Sequence, residues 1–159
     1  MGTRSHLWLS ALLQRELQAY ASLASPLETG GLLIGYLAGR DIVVTCIVGP
    51  GSGAKHRKFA FEPDNDYQQL ELERVYQESG RHETYLGDWH SHPSGPDRLS
   101  SRDRETLRSI AEHEPARIAR PVMLLVVGAS QDWSLVGFRA ASSRWWQPLR
   151  IQRLNCRIY

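Results

Sequence analysis

The chain has 159 residues, a length that suits one hydrophobic core, since such cores run to about 100–200 residues. With 42% hydrophobic and 23% charged residues it lacks the bias of disordered, collagen-like or coiled-coil chains. Nineteen Lys+Arg against 17 Asp+Glu leave +2, too little for general attraction to nucleic acid or membranes, and no apolar run approaches the ~20 residues that span a bilayer.

Those numbers lead us to expect a single domain over residues 1–159, located in the cytoplasm. Leu7 to Leu13 could be mistaken for a secretion signal, but Gln14, Arg15 and Glu16 interrupt the apolar stretch before any cleavage site. An amphipathic helix fits better, with Leu9, Leu12, Leu13, Leu17, Tyr20 and Ala24 on one face. Strands follow at Leu32–Leu37 and Ile42–Val48, read as a hairpin, and a short one at Lys58–Glu62. Pro63-Asp64-Asn65-Asp66 starts a helix running from Tyr67 to Ser79, which Gly80 ends.

Tyr85–Trp89 reads as a strand delivering His90 to its end. Ser100 or Ser101 caps a helix through Leu107 and Ile110, and strands at Val122–Val127 and Ser134–Phe138 flank a turn around Gly128–Asp132. The fold class is therefore α/β, with helices packed on a mixed sheet. Cys46 and Cys156 have no C-x-x-C spacing and read as small apolar fillers, which leaves neither a disulfide framework nor a thiolate-bound zinc.

The chemistry is concentrated in His90-Ser91-His92-Pro93 followed, six residues on, by Ser100-Ser101-Arg102-Asp103. Residues two apart on an extended chain point the same way, so His90 and His92 can present imidazoles to one point. Zinc accepts neutral imidazole nitrogens and carboxylate oxygens, and Asp103 at the start of a helix is a natural third ligand. Taken singly the pieces are ordinary: paired histidines are commonly packing residues, and S-x-x-D is a capping box. Together they occur by chance in on the order of one in 10^5 such chains. A nucleobase deaminase is excluded, because the H-x-E and P-C-x-x-C elements are missing.

His90-Ser91-His92-Pro93 with Ser100 and Asp103 resembles the motif of the JAB/MPN+ (JAMM) metalloprotease domains. Glu28-Thr29-Gly30-Gly31-Leu32-Leu33-Ile34-Gly35 is similar to that family's upstream glutamate element, and the resemblance runs from Glu28 to the strands near Phe138. Gly49-Pro50-Gly51, Phe61-Glu62-Pro63-Asp64 and Tyr85-Leu86-Gly87-Asp88-Trp89 look like a compact prokaryotic branch found beside antiphage operons that encode ubiquitin-like conjugation machinery. The resemblance implies an MPN (cytidine-deaminase-like) fold with a mixed central sheet. It implies that His90, His92 and Asp103 hold one Zn2+. Glu28 would take a proton from water and return it to the leaving amine, and Ser100 would hydrogen-bond the oxyanion.

The activity so implied is hydrolysis of a peptide or isopeptide bond after the C-terminal tail of a ubiquitin-like modifier or conjugated protein. Conjugation enzymes of the same operon are then partners, while membranes and nucleic acid are not expected. Ten residues separate His92 from Asp103, so no insertion is available for choosing among ubiquitin linkages. Gly30, Gly31 and Gly95 are expected to let a substrate backbone approach closely.

Two readings from other classes stand beside this one. A RadC-like, DNA-repair-associated protein shares the stretch from His92 to Asp103, but the Glu28 element fits it less well; the other reading is a non-catalytic interaction module. From Trp133 to Tyr159 there is no acid, while Arg139, Arg144, Arg150, Arg153 and Arg157 are basic; this reads as a solvated face paired with acids elsewhere. Trp145-Trp146 reads as packing or an edge cover, and His56, His82 and His113 receive no role.

Overall fold

The computed structural model describes residues 4–142 and 146–159 of the chain. The elements in order are β1 (His6–Leu9), α1 (Ala11–Ala24), β2 (Gly30–Ala38), β3 (Asp41–Val48), β4 (Lys55–His56) and β5 (Phe61–Glu62). They continue with α2 (Asn65–Glu78), β6 (Thr84–Pro93), α3 (Ser101–Glu112), a 3-10 turn at Glu114–Ala116, β7 (Val122–Ala129), β8 (Asp132–Ser142) and β9 (Arg150–Ile158). The expected α/β class holds, and its mixed sheet closes on itself in the order β1-β3-β2-β6-β7-β8-β9.

Closure depends on β1, which pairs in parallel with both β3 and β9. Its alternation sends Leu7 and Leu9 fully inward. His6 and Trp8 point outward, where Asp41 accepts from the His6 backbone N–H at 3.0 Å and from Trp8 Nε1 at 2.9 Å. Each barrel strand has a neighbour on both sides, which shortens the edge left open to another chain; the small hairpin β4–β5 stands apart.

Three helices cover the sheet. α1 lays Leu13, Leu17 and Ala21 on a cluster with Leu33, Trp89, Leu124 and Val126. α2 brings Val75 to Ile34 and Val48, and α3 seats Leu107 with Met123, Leu125 and Phe138. Each fully buried leucine contributes about 1.5–3 kcal/mol, so α3 is anchored chiefly by Leu107. Among the described residues no helix is long and apolar enough to cross a membrane.

Several boundaries differ from expectation for physical reasons. Ser10 caps α1 through its side chain, which accepts from the Leu13 N–H, so Leu9 lies in β1 rather than on the helix. Leu12, one residue off the buried stripe, is 65% exposed. The Lys58–Glu62 strand contracts to Phe61–Glu62 paired with Lys55–His56. β1 and β9 went unanticipated: β1 is four residues long and continuous with helical spacing, and β9 buries only Leu154 among its polar neighbours.

The basic C-terminal stretch divides as well. Arg153 pairs with Asp97 at 3.2 Å, whereas Arg139 is buried. Trp146 is exposed, and Arg144 and Trp145 lie outside the described residues.

Candidate functional site

β6 sits between β2 and β7, and its register with β2 sets Gly30 opposite His90 and Gly31 opposite Trp89. Glu28, two residues before Gly30, therefore arrives beside His90 although the two are far apart in sequence. Alternation along β6 turns His90 and His92 to one face and Ser91 to the other, where Ser91 is fully buried.

The two imidazoles meet a carboxylate. His90 Nε2 lies 3.0 Å from Asp103 Oδ1, His92 Nε2 lies 3.3 Å from Asp103 Oδ2, and the two Nε2 atoms are 2.9 Å apart. Asp103 reaches this point because Ser100 caps α3 in a reciprocal box: Ser100 Oγ accepts from the Asp103 N–H at 3.1 Å, and Asp103 Oδ2 accepts from the Ser100 N–H at 2.7 Å. Although burial works to raise its pKa, hydrogen bonds from His90 and His92 hold the Asp103 carboxyl far below the usual range.

The loop after β6 orients His92. Its Nδ1 lies 2.9 Å from the Pro96 carbonyl, which can only accept, so Nδ1 carries a proton. Ser94, with φ at 55°, donates its N–H to the Gly128 carbonyl at 2.6 Å, and Gly95 donates to the His92 carbonyl at 3.1 Å; these bonds turn the loop back. Burial tends to lower the His92 pKa, but Asp103, the Pro96 carbonyl and Glu28 together lift it above its ordinary value.

These donors fit a metal ion. In a neutral His92 ring protonated at Nδ1, Nε2 is a lone pair aimed at a second imidazole and an anion, an arrangement that a cation satisfies. Ligands about 2.0–2.2 Å from a tetrahedral ion stand about 3.3–3.6 Å from each other, close to the 2.9–3.3 Å found here. His90, His92 and Asp103 are thus the residues that can hold it.

Glu28 lines a cleft of about 220 Å3 together with His90, Asp103, Asp88, Arg102 and Thr106. Burial pushes its carboxyl pKa up, an effect that His90 and His92 partly oppose. Its backbone is held from both sides: its N–H donates to the Arg57 carbonyl at 2.8 Å, and its carbonyl lies 3.0 Å from His56 Nδ1. Next to it, Thr29 donates its N–H to Ser91 Oγ at 3.0 Å, while the Ser91 N–H donates to the Thr29 carbonyl at 2.8 Å. Ser100 is an exposed residue, and its hydroxyl accepts in the cap, which leaves the hydroxyl proton unused there.

Sequence reasoning missed His56, Ser91 and Pro96, all of which place other groups. Ser91 alone carried a signal, as the inward residue between two outward histidines. His56 acts through the Glu28 backbone, and His56→Ala is expected to lower turnover about tenfold with bound metal unchanged. Metal analysis beside steady-state rates checks this.

Gly30 and Gly31 have a different purpose from the one expected. A Cβ on Gly31 would lie 1.8 Å from the Val48 carbonyl oxygen, and one on Gly30 would lie 2.5 Å from that of Trp89. Strand packing, not substrate, occupies that space. Gly31→Ala should cost about 1–3 kcal/mol or more, read as a lowered melting temperature.

Two imidazoles and a carboxylate converging beside a second, half-buried carboxyl group are the equipment of a metal-dependent hydrolase. The chain belongs to the family described as prokaryotic homologues of the JAB domain, whose model matches residues 10–141. It is 37% identical over 129 residues to a probable metalloprotease, y4qB, of Sinorhizobium fredii, covering 80% of this chain and 79% of that protein. It is 31% identical over 107 residues to the CD-NTase/cGAS isopeptidase of Vibrio cholerae, covering 67% of this chain and 65% of that protein. In fold it is similar to the solution structure of protein DSY2949 from Desulfitobacterium hafniense, with a TM-score of 0.68 at 20% identity over 96% of this chain and 92% of that one.

Proposed function

We propose that this chain is a zinc-dependent isopeptidase, acting in the cytoplasm as one catalytic domain. It cuts the bond after the C-terminal tail of a ubiquitin-like modifier or a conjugated protein. The observation that carries the reading is the convergence of His90, His92 and Asp103 in a cleft lined by a half-buried Glu28. Zinc at these ligands supplies Lewis acidity that makes water a competent nucleophile near neutral pH.

Glu28 accepts the proton of the attacking water and passes it to the leaving amine, a task favoured by the upward push on its pKa. The Ser100 hydroxyl donates to the oxygen that gains charge. His92 keeps its orientation through Pro96, and Asp103 keeps its own through the α3 cap.

An extended tail finds backbone partners along the β4–β5 hairpin, which stands apart from the barrel and borders the cleft. Phe61 of that hairpin lines the cleft, and Phe59 at its turn is 78% exposed. Relatives in Vibrio cholerae and Escherichia coli named CD-NTase/cGAS isopeptidases support an antiphage setting. There the conjugated protein would be a cyclic-nucleotide-making enzyme joined through its own C-terminus, and the operon's conjugation enzymes would be partners.

The test is a ubiquitin-like protein fused to a C-terminal extension, incubated with enzyme before chelation, after chelation, and after zinc is restored. Cleavage that stops and returns supports the reading; cleavage indifferent to chelation overturns it. Salt-dependent DNA binding without cleavage would instead favour the RadC-like alternative.

A further inference from the structure

The end of the barrel away from Glu28 and His90 carries arginines that this chemistry does not use. Arg139 projects from β8 and is 6% exposed. Its Nε donates to the Arg120 carbonyl at 3.2 Å and its Nη1 to the Arg40 carbonyl at 3.5 Å, both neutral acceptors. Among the described residues, no carboxylate forms an ion pair with Arg139, Arg120 or Arg117.

A guanidinium has five N–H donors and keeps its proton in proteins, so the charge and the remaining donors of Arg139 must be met by something else. Nε and Nη1 make these two bonds, and because among the described residues no fully buried side-chain nitrogen lacks a partner, the remaining Nη2 is reached by solvent. Arg139 lines a cavity of about 270 Å3 together with Arg117, Arg120, Leu37, Leu86 and Val122. No acid lines it. Arg120 is braced by its own bond from Nε to the Ala140 carbonyl at 3.2 Å, and burial with the neighbouring Arg120 charge pushes the Arg139 pKa down.

We propose that this cavity binds an oxyanion carried on a small apolar group, either a phosphate monoester or a carboxylate. Arg139 holds the anion at the base, and Arg117 and Arg120 hold it at the rim. An unpaired buried charge is costly, and like charges beside it add repulsion; an entering anion relieves both. Bracing the Arg40 and Arg120 carbonyls needs donors only, and does not account for three arginines around an acid-free cavity. A guanidinium fork suits either oxyanion, and Leu37, Leu86 and Val122 offer apolar surface to the group that bears it.

The site lies near the start of β6, whereas His90 and His92 lie near its end, so the two can be tested separately. The probes are phenyl phosphate, benzoate and inorganic phosphate, followed by calorimetry and melting temperature. Saturable binding of phenyl phosphate or benzoate is expected, and the tighter of the two identifies the anion. Binding should weaken about tenfold or more in Arg139→Gln and in the exposed-rim double variant Arg117→Ala/Arg120→Ala. The double variant keeps the test valid should Arg139→Gln fail to fold. No saturable binding of either organic anion, or binding unchanged in the rim variant, overturns the proposal.

Discussion

Glu28→Ala is expected to lower kcat on a ubiquitin-like fusion by about 10^2–10^4-fold while the bound metal stays at the wild-type level. The metal should remain because the convergent donors are His90, His92 and Asp103, and Glu28 only shares their cleft. The fold should remain because the turn at Glu28 is held by backbone groups and by Ser91, none of which the substitution removes. Glu28→Gln, which keeps the shape and loses the proton-carrying oxygen, should be nearly as slow. Rates equal to wild type in either variant would remove Glu28 from the chemistry.

His92→Ala should have a larger effect of a different kind. It deletes one donor, strips the Pro96 carbonyl of its partner, and leaves Asp103 facing one imidazole in place of two. Metal stoichiometry is expected to fall towards zero and cleavage to background, because a ligand set reduced to two no longer holds zinc against solvent. Circular dichroism should keep its native form, since Leu99 and Leu107 still fasten α3 to the barrel. His82→Ala, at an exposed position away from the cleft, is the control and should keep metal and rate. Full metal content in His92→Ala would refute the assigned donor set.

Much of the site was legible because its parts are local. His90 and His92 share a strand face, a consequence of period-two alternation that any extended segment obeys. Ser100 and Asp103 are three apart, the reach of a capping box, so their mutual bonds follow from chain geometry. Glu28 differs: nothing near it in the chain marks it as reactive, and its assignment rested on resemblance to a family. The register of β2 against β6, which seats Gly30 opposite His90, is what brings it to the cleft.

The fold was legible to a similar depth. Apolar runs announced β2, β3 and β7, whereas β9, with arginines at positions 150, 153 and 157, hid its role in closing the barrel. His56 and Pro96 were invisible because one acts through a backbone carbonyl and the other offers one.

Taken alone, then, the 159 residues with their near-balanced charge determined the α/β class, the His-His-Asp donors and the capped start of α3. Each depends on residues close in the chain, where bond geometry limits the choices. Tertiary structure decided the closed barrel, the placement of Glu28 and the burial of Arg139 without an acid. Those depend on strand register and on what lies across a cavity, and contacts between distant segments are set by packing of the whole core rather than by local spacing.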